Sequence, residues 1–229
     1  GDAWGNITAL PFNSKEFSCA NPSLSRDGKT LYFSSNMPNG LGGTDIWKVA
    51  VKEDGSFGTP ENLGSKVNTE GNESFPYIAD DNKTLYFASA GRPGLGGLDV
   101  FEIDLTKGEA TNMGTPVNSE KDDFSFSFNS KKNVGFFASN RNGNDDIFGA
   151  IPVCGVDVIT IVTDAKTGAV LSGAKVAILD DKKNVIATET TSANGEIKYR
   201  VECDKPYVVQ VSKDGYEGNT FAVVKSKGP

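Results

Sequence analysis

Two groups of residues in this chain have types and spacings suited to chemistry. The first is the pair of acidic doublets, Asp122-Asp123 and Asp145-Asp146. Paired carboxylates across a cleft can hydrolyse a glycosidic bond, one as acid and the other as base or nucleophile. Nothing in the spacing fixes a second carboxylate opposite either doublet, so no catalytic residue is assigned. The second group is the aspartate closing each of two glycine-rich loops, Gly40-Leu41-Gly42-Gly43-Thr44-Asp45 and Gly94-Leu95-Gly96-Gly97-Leu98-Asp99. Oxygen-rich glycine loops can wrap Ca2+. Here each loop brings one aspartate, and the two loops stand 54 residues apart. The expectation is a structural turn whose carboxylate accepts loop amides, with no metal and no cofactor. Ser25-Arg26-Asp27-Gly28 reads as a hairpin turn on the same grounds.

The chain has no histidine. That removes Ser-His-Asp and Cys-His nucleophile systems and histidine-ligated zinc or iron. A non-enzyme is expected. The net charge is −7, and it lies in the first part: residues 1–152 hold 13 basic and 20 acidic side chains, whereas the rest is balanced at 10 and 10. Such acidity argues against nucleic acid as a partner. No apolar run approaches the ~18 residues of a membrane span, so no transmembrane segment is expected. Gly1-Asp2-Ala3-Trp4 is no signal peptide and reads as an internal start, with targeting information expected upstream. Cys19, Cys154 and Cys203 include no CxxC spacing, which disfavours zinc and thioredoxin-type chemistry. Either Cys154 and Cys203 pair and leave Cys19 alone, in an oxidising compartment, or all three are reduced buried thiols.

These residues are positioned by an internal repeat. Leu31-Tyr32-Phe33-Ser34-Ser35 returns as Leu85-Tyr86-Phe87-Ala88-Ser89 and, degraded, as Gly135-Phe136-Phe137-Ala138-Ser139, at steps of 54 and 50 residues. Each unit has an Asn-Ser or Asn-Thr pair (Asn13-Ser14, Asn68-Thr69, Asn118-Ser119). Cys19, Glu73 or Asp123 follows, then a turn, the aromatic strand, a loop, and Asp45-Ile46-Trp47, Asp99-Val100-Phe101 or Asp146-Ile147-Phe148. A strand-rich period of this length predicts propeller blades of four short antiparallel strands. Phe33, Phe87 and Phe137 should be equivalent, as should Asp45, Asp99 and Asp146. Trp4 to Asn13 reads as the tail of an earlier unit. Three units do not close a propeller, so further blades are expected upstream or on another chain.

The run "DGKTLYFSS…GGTDIW" resembles the PD40 or WD40-like repeats of TolB-type propellers over roughly residues 1–150. After Pro152 the texture changes to short strands at Val156–Val162, Lys175–Leu179, Val185–Thr190, Glu196–Val201, Tyr207–Ser212 and Thr220–Val224, with turns at Thr167-Gly168, Asn194-Gly195 and Asp214-Gly215. This second domain, residues 153–229, reads as a small β-sandwich. Thr163-Asp164-Ala165-Lys166-Thr167-Gly168, Leu171-Ser172-Gly173-Ala174-Lys175-Val176, Ala193-Asn194-Gly195 and Lys213-Asp214-Gly215-Tyr216 resemble the carboxypeptidase regulatory-like or CNA-B-like sandwich. The resemblance implies a cysteine pair flanking the module, here Cys154 and Cys203. Their places at strand ends suit a staple.

Propeller then sandwich is similar to the middle of OmpA-family envelope proteins, including a type IX secretion component. That resemblance implies a non-catalytic interaction scaffold in the Gram-negative periplasm, associated with the outer membrane. The partners would be other envelope or secretion-system proteins, or a chain carrying further blades. Met37, Pro38, Leu41, Arg92, Pro93, Leu95, Arg141 and Asn142 fall on equivalent loops and form a candidate partner-binding surface. Whether Leu41 and Leu95 instead pack under their own loops stays open. A second reading is a carbohydrate- or peptidoglycan-fragment-binding module. It would use Trp4 and Trp47 as stacking platforms and requires them outside a blade core.

Overall fold

The computed structural model describes residues 3–203 and 205–223. The chain is all-β, a partial propeller followed by a small sandwich, and it divides into two compact units, Gly1–Pro152 and Val153–Pro229. Among the described residues no helix is long and apolar enough to cross a membrane.

The first unit holds three antiparallel sheets in sequential order. The first comprises β1 (Cys19–Leu24), β2 (Thr30–Ser35), β3 (Asp45–Ala50) and β4 (Glu61–Asn62). The second comprises β5 (Glu73–Ile78), β6 (Thr84–Ser89), β7 (Asp99–Asp104) and β8 (Ala110–Asn112). The third is β9 (Asp123–Asn129), β10 (Val134–Ser139) and β11 (Asp146–Ala150). Register makes the repeat literal. Phe33 pairs with Trp47, Phe87 with Phe101 and Phe137 with Phe148, while Ser35, Ser89 and Ser139 face Asp45, Asp99 and Asp146. The third sheet departs from the four-strand expectation: among the described residues no fourth strand pairs with β11.

The hairpin turns after the first strands place Gly28, Asn82 and Asn133 at positive φ, where glycine and asparagine pay least. A second feature repeats without any such sequence sign. The opening strand of each sheet slips register next to Asn21, Phe75 or Ser125, at φ of 52, 54 and 56°. These are bulges that re-aim the start of each strand. Cores form within and between sheets. Tyr32 and Ile46 of the first sheet join Ile78, Leu85 and Phe87 of the second, and Val100 and Tyr86 of the second pack with Phe126 and Phe137 of the third. The middle sheet is therefore buried on both faces, which explains why Leu85-Tyr86-Phe87 need not alternate.

The second unit is a sandwich of a two-stranded sheet, β12 (Gly155–Ile161) with β15 (Glu196–Glu202), and a four-stranded sheet. The latter has the order β14 (Val185–Thr190), β13 (Lys175–Leu179), β16 (Tyr207–Ser212), β17 (Asn219–Val223). Val224 of the expected last strand lies outside the described residues. Alternation puts Val176, Ile178, Ile197, Val201 and Val209 between the sheets. Cys154 and Cys203 form a disulfide with a Cα–Cα distance of 5.2 Å, and Cys19 is free and half-buried.

Candidate interaction surface

The glycine-rich loops are locked from inside. Asp45 accepts the amides of Leu41 (2.5 Å) and Gly42 (3.3 Å), and Asp99 those of Leu95 (2.9 Å) and Gly96 (3.0 Å). Both carboxylates are buried; Asp45 uses both oxygens, whereas both amide bonds to Asp99 fall on Oδ2 and its Oδ1 has no partner among the described residues. Gly42 and Gly96 are required for a different reason. A Cβ on either would collide with the backbone carbonyl of Gly71 or Lys121 in the following segment. Asp146, at the same strand position, is exposed, because its shorter loop does not wrap it.

The doublet Asp122-Asp123 is taken up by the structure, whereas Asp145 and Asp146 are exposed. Asp123 is buried and accepts from Ser119 and from Arg141 at 2.5 Å, while Asp122 accepts the amide of Leu98 (2.9 Å) and the Asn140 side chain (3.0 Å). Burial alone would raise the Asp123 carboxyl's pKa, but the hydrogen bonds from Ser139, Arg141 and Ser119 hold it below the usual carboxylate value. Among the described residues no group of three or more His, Cys, Asp or Glu is arranged to hold a metal ion. An open hollow of about 630 Å³ on the sandwich includes Asp180 and Glu202. Asp180 is taken up by the turn amides of Lys182 and Asn184, and Glu202 pairs with Lys205.

Of the residues expected on the partner-binding surface, Met37 is buried and Arg92 and Arg141 are half-buried against their own sheets. Met37 is only 9% exposed and packs with Phe33 and Trp47. Arg92 lies over the rings of Phe87 and Phe101, 5.9 Å from each centroid, and donates to the carbonyls of Lys66 (2.6 Å) and Val67 (3.1 Å). Arg141 lies over Phe137 and Phe148 at 5.0 and 4.8 Å and donates to the carbonyls of Pro116 (3.0 Å) and Val117 (2.5 Å). Met37 and Arg141 occupy one repeat position and Arg92 stands one residue further along, and all three cover the aromatic pair of their sheet. The pair's quadrupole favours a guanidinium there, and loop carbonyls satisfy its donors. The first sheet has no such loop to grip. Phe12 stacks on Phe33 at 5.0 Å, and a thioether fills the cap. The exposed part of the expected surface is Leu41 and Leu95, 47% and 50% exposed, with Pro38, Pro93 and, on the third loop, Asn142. Trp47 is in the first sheet's core with its indole N–H on the Ser35 carbonyl (3.2 Å), so it cannot serve as a sugar platform, whereas Trp4 is fully exposed.

The asparagine that recurs at Asn68 and Asn118 has a role that its place in the repeat does not reveal. Asn68 accepts the Ile46 amide (2.7 Å) and donates to the Ile46 carbonyl (2.9 Å), and Asn118 does the same to Val100 (2.8 and 2.9 Å). A side-chain amide thus completes the outer edge of a third strand and joins one sheet to the next segment. Both asparagines and both strand residues are buried, so Asn118→Ala strands the Val100 amide, while the Val100 carbonyl keeps the Met113 amide at 3.1 Å. At about 1–3 kcal/mol for an unsatisfied group, the expected loss is about 1–3 kcal/mol, read from the urea midpoint of tryptophan fluorescence. A shift under 0.5 kcal/mol would mean that water takes over the lost bond.

No curated protein sequence matches the chain significantly. Solved structures similar to it include a protein named as a TolB from Agrobacterium tumefaciens. It is 16% identical with a TM-score of 0.44, covering 80% of this chain and 74% of that one. A puromycin-hydrolyzing peptidase of Mycobacterium tuberculosis is 14% identical with a TM-score of 0.41, over 88% of this chain and 34% of the peptidase. Prolyl oligopeptidase B from Galerina marginata is 15% identical with a TM-score of 0.39, over 85% of this chain and 31% of the enzyme. The chain thus spans about a third of either peptidase. In the second unit, residues 158–228 match the family described as the carboxypeptidase regulatory-like domain.

Proposed function

We propose that this chain is a non-catalytic protein-interaction scaffold of the Gram-negative cell envelope, working in the periplasm as part of an outer-membrane-associated, OmpA-family assembly of the type IX secretion kind. One observation carries the interaction reading. Equivalent loops of the first two sheets present half-exposed Leu41 and Leu95, on backbones fixed by buried Asp45 and Asp99. A rigid pair of apolar side chains on loops binds protein at little ordering cost. The Cys154–Cys203 bond supports an oxidising compartment. The order of repeat and sandwich supports the envelope assembly through the resemblance.

The test is photo-crosslinking in cells from a reactive residue at position 41 or 95, with position 54 as an exposed control. A specific envelope-protein adduct from 41 and 95, absent at 54 and lost when the other leucine is changed to Asp, is the expected result. Adducts from all three sites alike, or none from 41 and 95, would overturn the reading.

A further inference from the structure

Between the first and second sheets lies a hollow of about 310 Å³ that no residue of the leucine loops lines. Its apolar lining, Leu63, Val67, Ile103 and Leu105, belongs to the core that the two sheets share. Its charged lining is Lys48, Lys66 and Lys83. Among the described residues no carboxylate lines it. The unit around it is acidic, with 13 basic and 20 acidic side chains over residues 1–152, so three lysines at one hollow run against the local charge balance.

The repeat shows that blade packing does not ask for these lysines. Between the second and third sheets the equivalent positions hold Glu102, Pro116 and Asn133. The lysines are also lightly committed. Lys48 reaches Glu61 at 3.2 Å, whereas neither Lys66 nor Lys83 pairs with a carboxylate among the described residues. The Lys66 side chain crosses from the first sheet's outgoing segment to the turn before β8. A Cβ on Gly108 would collide with its Nζ, so the glycine leaves room for the ammonium group. Tyr32 and Asn82 line the same hollow. The Asn82 Oδ1 accepts the Arg26 amide at 2.7 Å, which leaves its NH2 group as a further donor.

We propose that this hollow binds the phosphate monoester of a small molecule with an apolar body. Ammonium groups on flexible stems act as point charges and suit a phosphate, which carries close to two negative charges at neutral pH and offers several acceptor oxygens. A carboxylate brings one charge and fewer acceptors to the same three lysines. The volume is at the small end of ligand sites, and its mixture of apolar lining with a few convergent polar groups is typical of them. Leu63, Val67, Ile103 and Leu105 favour hydrocarbon over a second polar group beside the ester. The same groups hold the ester whether it belongs to a free molecule or to a lipid headgroup.

Calorimetric titration of the full chain with hexyl phosphate at low salt tests this, with inorganic phosphate and hexanoate as comparisons. The expected result is one hexyl phosphate per chain, with each comparison at least about tenfold weaker, since one lacks the hydrocarbon and the other the second charge. Lys66 and Lys83 are exposed, so Lys66→Gln and Lys83→Asn should keep the wild-type urea midpoint. Each should raise the dissociation constant for hexyl phosphate by about tenfold, the scale of one charged hydrogen bond. Sedimentation with vesicles containing phosphatidic acid separates the two sources. Co-sedimentation that hexyl phosphate displaces and both variants lose supports the site and assigns it to a lipid headgroup. Hexyl phosphate binding without co-sedimentation supports it and assigns it to a free ester. No saturation below about 10 mM hexyl phosphate would overturn the proposal. Binding that both variants leave unchanged would overturn it as well, as would hexanoate binding as tightly as hexyl phosphate.

Discussion

Arg141→Ala should destabilise the first unit by about 3–5 kcal/mol at neutral pH, the usual cost of removing one partner of a buried ion pair. The Asp123 side chain is fully buried and its Arg141 partner is only 23% exposed. Without the guanidinium, a carboxylate is left in the interior with Ser119 and Ser139 alone, and the Pro116 and Val117 carbonyls lose a donor. Arg92→Ala is the internal comparison. It has the same aromatic seat and loop carbonyls but no ion pair to a buried carboxylate, so about 1–2 kcal/mol is expected from lost hydrogen bonds and stacking. Both tryptophans lie in the first unit, so urea titration followed by their fluorescence isolates the effect.

The pH dependence separates the ionic part from the stacking part. Asp123 has a folded pKa held below its unfolded value of about 3.9. Its contribution is therefore fully present above that value and is lost as pH falls through the folded pKa. The gap between wild type and Arg141→Ala should be flat from about pH 5 to 8 and narrow below about pH 4. A gap that stays constant down to pH 3 would assign the loss to stacking. The first sheet supplies a rescue, since Cys19 and Met37 occupy the positions of Asp123 and Arg141 without charge. Asp123→Cys with Arg141→Met should recover at least half of the single variant's loss, because no buried charge remains unpaired.

That equivalence also bears on how far the sequence could be read. The strands, their register and the hairpin turns were legible because residue types repeat at positions where backbone geometry demands them. Gly28 and Asn82 stand at positive φ, and the Asp45 and Asp99 carboxylates close their loops. The bulges were not legible. Asn21, Phe75 and Ser125 share a φ near 54° but no chemistry, since the slip is imposed by the sheet rather than by the side chain. The arginines were misread because Asn140-Arg141-Asn142 has the polarity of an exposed loop. The available signal was Met37: Met in one unit and Arg141 in another at the same position, with Arg92 one residue further on in the second, all beside a recurring aromatic pair, mark an apolar seat that a planar cation can also fill. The asparagine clasps were visible as a recurrence, but their acceptor and donor are main-chain atoms, which carry no sequence signature.

The Cys154–Cys203 bond should hold the second unit with about 4 kcal/mol, and its removal is expected to lower that unit's melting more than any single core change outside it. The pair closes a loop of 49 residues, for which chain entropy gives about 4 kcal/mol, less whatever order the reduced chain retains. The position makes the staple matter beyond loop length. β12 and β15 form a sheet of two strands only, which is marginal on its own. Their ladder runs from Ile161 opposite Glu196 to Gly155 opposite Glu202, and the Cys203 amide extends it by donating to the Cys154 carbonyl at 2.8 Å. The disulfide thus sits one step past the last pair and stops that end from fraying. Fraying would release Val201 and Val158 from the core they share with Ile178 and Tyr207, and the Tyr207 hydroxyl from the Glu202 amide it accepts. Cys154→Ser with Cys203→Ser, followed by far-UV circular dichroism on the full chain, should lower the sandwich transition accordingly. Thiol counting on the unreduced wild type under denaturing conditions should find one free cysteine, Cys19. Three free thiols in protein taken from an oxidising compartment would refute the bond. A double variant melting within a degree or two of wild type would show that the two-stranded sheet is held by its core contacts alone.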